Sequence, residues 1–268
     1  MPDTTQRTER LDKILSNQGF GTRKDVRGLV RAGAVTINGE PVKDPSMHVH
    51  TERDVIAVDG EPVQVQQFVY LMMNKCKDVV SANKDGEHST VFDLLDDSYR
   101  TGSCVKDLHT IGRLDIDTEG LLILTTDGTL THRLISPKSH IGKTYTAWLR
   151  DSLTPQQRDA YRAQCKAGIH IAPEGSEPEA DCLGAELSWS DDVMYAGAQR
   201  PCAVLTIYEG KYHQVKRMFA ALGNEVLYLK RTAMGALTLD PSLENGGYRQ
   251  LTPEEIDLLK NEGASHAE

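Results

Sequence analysis

The chain has 268 residues, 39% of them hydrophobic and 26% charged, which is enough length for two domains and the composition of a soluble globular protein. No apolar run approaches the roughly 20 residues that span a bilayer, and the N-terminal MPDTTQRTER lacks the apolar stretch of a secretory signal, so a cytoplasmic protein with no membrane partner is expected. A net charge of −9 argues on its face against a nucleic-acid partner. Its distribution reverses that inference. Residues 172–192 hold seven acids and no Lys or Arg, and residues 241–268 hold six acids against two bases, whereas Arg10 to Arg31 holds six bases against two acids. The five cysteines (Cys76, Cys104, Cys165, Cys182 and Cys202) form no C-x-x-C pair, so reduced thiols are expected rather than a disulfide frame or a zinc site. His48 and His50 have no third ligand nearby, and no metal is expected.

Leu11, Ile14 and Leu15 give one apolar helical face, and a second helix is predicted to begin after Gly21 with Thr22 as its N-cap and to end near Ala32-Gly33. On that helix Arg23, Arg27 and Arg31 fall at i, i+4 and i+8 with Lys24 beside them, a cationic stripe about two turns long. Val35 to Glu40 then reads as strand and turn. Arg10-Leu11-Asp12-Lys13, Thr22-Arg23 and the run from Gly33 to Gly39 together resemble the S4 RNA-binding domain. That resemblance implies RNA contacts from Arg10, Lys13, Arg23, Lys24, Arg27 and Arg31.

Residues Glu61 to Gln67 read as a polar connector, so the domains are set at 1–62, 63–252 and a C-terminal helix and tail at 253–268. Strands are predicted at Phe68 to Met73, Leu121 to Thr125, Thr144 to Leu149 and Ala203 to Tyr208. Helices are predicted at Pro155 to Cys165 and His213 to Leu222, the latter stopped by Gly223. Several strand-to-strand connections are too short for parallel crossovers, which points to an α+β domain around a mixed, mainly antiparallel sheet. Thr252-Pro253-Glu254-Glu255 is a capping box opening the last helix, and the tail from Asn261 is expected to fray.

The segment from His109 to Leu122 (HTIGRLDIDTEGLL) delivers three carboxylates and an Arg to the end of an apolar strand. Taken alone it reads equally as a polar turn. Its pattern H-x-x-G-R-L-D-x-x-T-x-G-L-L resembles the active-site signature of the RsuA and RluA pseudouridine synthase families, and this implies that Asp115 is the catalytic residue. The chemistry calls for such a group: isomerising uridine breaks the N1–C1′ bond and remakes it at C5, and an ionised carboxylate can attack as nucleophile or abstract a sugar proton. A second element, Gly210-Lys211-Tyr212-His213-Gln214-Val215-Lys216-Arg217-Met218, is similar to the family's G-[RK]-x-H-Q-[VIL]-[RK]. By that resemblance Lys216 pairs with Asp115 and keeps it ionised, while Arg217, about 100° away around the helix, faces backbone or RNA. Lys143-Thr144-Tyr145 matches the family's K-x-Y, which implies that Tyr145 lies against the target uracil. Arg113, Lys143 and Lys75 are expected at the RNA.

One departure is Asn74-Lys75-Cys76-Lys77-Asp78 where the family has N-K-P-x-G, so the turn loses its preset Pro and Gly. HQVKRMFAALGNEV resembles the small-subunit, RsuA-type branch. The resemblance implies isomerisation of a specific uridine in ribosomal RNA, most closely 16S RNA, by a monomer acting on a small-subunit assembly intermediate and needing no cofactor. The alternatives are a sister enzyme of 23S RNA and a non-catalytic S4-type assembly protein.

Overall fold

A computed structural model describes residues 8–18, 20–51, 53–63, 65, 68–100 and 107–262. Residues 1–7, Cys104, the connector residues Gln64, Gln66 and Gln67, and the tail from residue 263 lie outside the described residues. Two compact units emerge, Met1–Val69 with Asp96–Leu108, and Tyr70–Leu95 with His109–Glu268.

The first unit runs β1 (Thr8–Arg10), α1 (Leu11–Asn17), α2 (Arg23–Arg31), β2 (Val35–Ile37), β3 (Glu40–Pro41), β4 (His48–His50), β5 (Ile56–Val58) and β6 (Glu61–Pro62), with the short α3 (Asp97–Arg100) later in the chain. The α2 N-terminus forms because Thr22 and Asp25 satisfy each other's backbone amides: the Asp25 amide donates to Thr22 Oγ1 at 3.3 Å, and the Thr22 amide donates to Asp25 Oδ2 at 2.9 Å. Val26 and Val30 turn inward onto Leu11, Ile14, Leu15 and Val35. Asn38 and Gly39 take φ of 52° and 85°, the pair of left-handed residues that a two-residue hairpin needs between β2 and β3. Strand order in this sheet is β3-β2-β5-β6.

The second unit contains β7 (Tyr70–Lys75), β8 (His109–Thr110), β9 (Glu119–Thr125), α4 (Gly128–Ile135), β10 (Lys143–Leu149), α5 (Pro155–Ala167), β11 (His170–Ile171), β12 (Ala180–Asp181), β13 (Glu186–Tyr195), β14 (Ala198–Ile207), α6 (Gln214–Ala221), β15 (Val226–Met234), β16 (Leu237–Thr238), β17 (Tyr248–Gln250) and α7 (Pro253–Asn261). Its sheet has the order β13-β14-β10-β15-β9-β7-β17, with β16 beside β15 and β8 beside β9. Only the β9–β15 pair is parallel among the described strands, so the expected α+β fold around a mixed, mainly antiparallel sheet is the observed one. Strands β7 and β9 are buried almost throughout, while β13 at the edge alternates and carries Glu186, Asp191 and Asp192 to solvent. The polar sequence of β13 and the charged residues of β15 hide both strands from a reading of apolar runs, and neither is among the strands expected above. Helix α7 packs on α4 and β16, and the Glu262 carboxylate accepts a hydrogen bond from the Ala236 amide, so the expected fraying does not begin at Asn261.

Candidate active site

The loop between β8 and β9 carries Arg113, Asp115 and Asp117, and its shape is fixed from below. Ile111 and Leu114 are buried, and Ser81 Oγ both accepts from the Leu114 amide (3.1 Å) and donates to the Leu114 carbonyl (3.0 Å). The far side of the loop is gathered by Lys75, whose ammonium donates to the carbonyls of Cys76 (3.0 Å), Asp115 (3.0 Å), Ile116 (3.3 Å) and Thr118 (2.9 Å). Lys75 is 0% exposed, and burial pushes its pKa down to about 8. The expectation that it reaches an RNA phosphate is therefore corrected: this lysine points into the protein and holds the loop. In the next turn Asp78, where the family has Gly, takes the left-handed conformation at φ 63°, with its amide donating to the Ile116 carbonyl at 2.9 Å.

Where the loop ends, Gly120 has φ 101° and lies so close to β15 that a Cβ there would fall 2.2 Å from the Arg231 carbonyl oxygen. No other residue fits this approach, and it draws the start of β9 against Lys230 and Arg231.

Helix α6 supplies the cation. Lys216 Nζ lies 3.2 Å from Asp115 Oδ2 and 2.6 Å from Asp117 Oδ1, so one ammonium serves two carboxylates. Burial alone would lower the Lys216 pKa, but Asp117 and Asp115 outweigh it and raise it above the ordinary lysine value. For Asp117 burial acts upward, and Lys216 outweighs it to hold the pKa below the usual range. On the other side of Asp115, His213 Nε2 approaches Oδ1 at 3.8 Å while Nδ1 is 3.0 Å from Glu174 Oε1. Asp115 thus sits between an ammonium and an imidazole, with 27% of its side chain open to solvent. A cleft of about 510 Å³ runs along α6, lined by Lys216, Glu174, Arg217 and Arg150 among others.

Of the two roles expected of Arg217, backbone or RNA, the structure gives it the backbone. Its side chain is only 7% exposed, and it donates to the carbonyls of Ala172 (3.1 and 2.6 Å), Pro178 (2.6 Å) and Tyr212 (3.1 Å), so it ties the β11–β12 hairpin to α6 and does not face RNA. Tyr145 is 8% exposed on β10, opposite Arg231 of β15, with β15 between it and β9. Lys143 is half-buried and donates to the Ile141 carbonyl; burial and then Arg231 lower its pKa. Arg113 is exposed. Neither Glu174, Ser81 nor Arg231 was foreseen, because no spacing in the sequence ties them to Asp115; His213 stood inside a recognised motif but received no role.

In the first unit Arg23, Lys24, Arg27 and Arg31 are exposed, as the helical spacing requires. Arg10 is held by the buried Asp12 at 3.0 and 2.8 Å, with Arg27 3.8 Å from the same carboxylate, and Lys13 pairs with Glu9.

The RNA pseudouridylate synthase family model matches residues 69–221 and the S4 domain model residues 9–56. This chain belongs to the RNA pseudouridine synthase family. An uncharacterized RNA pseudouridine synthase, YtzG, of Bacillus subtilis is 45% identical over 93% of the chain and 98% of its own length. Ribosomal small subunit pseudouridine synthase A is 42% identical in Yersinia pestis, over 96% of this chain and 99% of that one, and 41% identical in Vibrio parahaemolyticus, over 94% and 100%. A crystal structure of a pseudouridylate synthase, 39% identical, covers 93% of the chain with a TM-score of 0.59. The synthase therefore combines an N-terminal S4 domain with an enzyme domain that converts uridine to pseudouridine in RNA, and no helix among its described residues is long and apolar enough to cross a membrane.

Proposed function

We propose that the synthase isomerises one uridine of small-subunit ribosomal RNA, with Asp115 as the catalytic carboxylate. The observation that carries the reading is the contact of Lys216 with Asp115 at 3.2 Å, in a loop otherwise shaped by buried hydrogen bonds. In the reaction the C1′–N1 bond breaks, the uracil turns over, C1′ bonds to C5, and the proton lost from C5 is balanced by one gained at N1. Nothing leaves and no electrons are exchanged. Asp115 acts at the sugar, Lys216 orients it through their ion pair, and Tyr145 lies against the uracil. Arg113 and Lys143 contact the RNA near the target, and Arg23, Lys24, Arg27 and Arg31 neutralise phosphates from the S4 domain, with 1–62 and 63–252 as the working division of the chain. The small-subunit target is supported by relatives of that name at about 40% identity along nearly their whole length. A monomer in the cytoplasm, meeting its RNA in an assembly intermediate, completes the reading.

The test is a pseudouridine map of ribosomal RNA from cells lacking the protein, complemented with wild type or Asp115→Asn. One position in small-subunit RNA should depend on the protein and be restored only by wild type. A lost position in large-subunit RNA overturns the target, and restoration by Asp115→Asn overturns the residue. In single-turnover assays Lys216→Met should lower the rate constant more than the RNA affinity.

A further inference from the structure

Next to Asp115 the protein keeps an aromatic ring in solvent. Tyr212, immediately before His213 at the start of α6, is 47% exposed, whereas most large apolar groups of this domain are buried. Its ring stacks on the His213 imidazole, with centroids 3.8 Å apart and planes 20° from parallel. The pair is built rather than incidental. His213 takes the left-handed backbone at φ 49°, its Nδ1 is held by Glu174 at 3.0 Å, the Tyr212 carbonyl accepts from Arg217 Nη1 at 3.1 Å, and the Lys211 amide is bound by Gln214 Oε1 at 2.9 Å. The same imidazole stands 3.8 Å from Asp115 Oδ1, so a single ring separates the tyrosine from the carboxylate.

Geometry and chemistry then meet. For N1 and C5 of a uracil to exchange places at C1′, the target base must come out of any stack, and its flanking base loses a neighbour. An aromatic face fixed beside the site replaces that neighbour. Any base can use it, because every base has a π-face.

We propose that Tyr212, backed by His213, is a stacking subsite for an unpaired nucleobase flanking the target uridine. This rests on Asp115 being the catalytic carboxylate of an RNA-modifying site. The subsite binds and orients; it takes no part in bond making.

The experiment measures direct binding and single-turnover rates on a ribosomal RNA fragment that the wild type modifies, alongside the same fragment made abasic at the nucleotide before or after the target. Wild type, Tyr212→Phe and Tyr212→Ala are compared. Tyr212→Phe keeps the ring and should bind like wild type. Tyr212→Ala should bind about tenfold to a hundredfold more weakly. One of the two abasic fragments should weaken wild-type binding by a similar factor and cost Tyr212→Ala nothing further. If Tyr212→Ala binds like wild type, or if it suffers the full penalty of both abasic fragments, the subsite is wrong. A failure of the Asp115 reading looks different: Asp115→Asn would then keep its turnover, while these binding measurements would be unaffected.

Discussion

At the scale of single residues the unusual group is Lys75, an ammonium sealed from water and surrounded by four backbone carbonyls. Its native pKa of about 8 lies below the 10.5 of an unfolded chain, so between these values the unfolded state holds the extra proton and unfolding free energy rises with pH. Below about pH 8 the buried charge is a standing cost. The stability of wild type relative to Lys75→Met should therefore increase by up to about 3 kcal/mol from pH 8 to 10.5, as read from urea unfolding of both proteins. A flat or falling difference would sink this account. Activity should move the other way, since a neutral amine donates two N–H bonds where the ammonium donates three, and it loses the charge that draws the carbonyls of the Asp115 loop inward. Asp115 and Lys216 could be read from motifs because both are named by their neighbours in sequence. Lys75 was misassigned, and Arg217 left between backbone and RNA, for a physical reason: a cation's residue type does not say whether water, phosphate or a ring of carbonyls will solvate it. Glu174 was legible only as one acid in an acidic stretch.

At the scale of elements, the junction of β9 with β15 depends on one missing side chain. Gly120→Ala would place a methyl 2.2 Å from a backbone oxygen at φ 101°, and the strands cannot separate without breaking the parallel pair. The expected loss is about 2–4 kcal/mol by chemical denaturation, with activity falling further because the Asp115 loop ends at this residue. A variant with wild-type stability would show that β15 yields easily. The strands β7 and β9 were readable because they are runs of Leu, Ile and Met, and β10 and the second half of β14 because apolar residues alternate along them (Tyr145, Ala147, Leu149; Ala203, Leu205, Ile207), while the more polar start of β14 from Ala198 was not. Helix α7 announced itself through its complete capping box at Thr252, and α5, expected from Pro155, carries a second one at Thr154 in the structure. Helix α4 did not, being short and opening on a Gly, although Asp127 caps it. Strand β15 interleaves Lys230 and Arg231 with its apolar residues, so its central place in the sheet could not be seen without its partners.

At the scale of the molecule the question is how a chain of net charge −9 handles RNA. The S4 domain exposes Arg23, Lys24, Arg27 and Arg31 on one helix, while β13 exposes acids on the edge of the catalytic sheet. Reversing Arg23 and Arg27 together to Glu should weaken RNA binding and flatten its dependence on salt by roughly one unit of slope per lost phosphate contact. The measurement is a titration at several ionic strengths, and unchanged slopes would reduce the stripe to a solvated face. The segregation of charge also bears on traffic inside a cell crowded with RNA. A uniformly basic enzyme would spend its time on decoys, since every phosphate backbone offers it the same welcome. A chain whose net charge has the same sign as that of RNA dwells only where a few cations and the shape of the strand agree, which leaves it free to find a rare uridine.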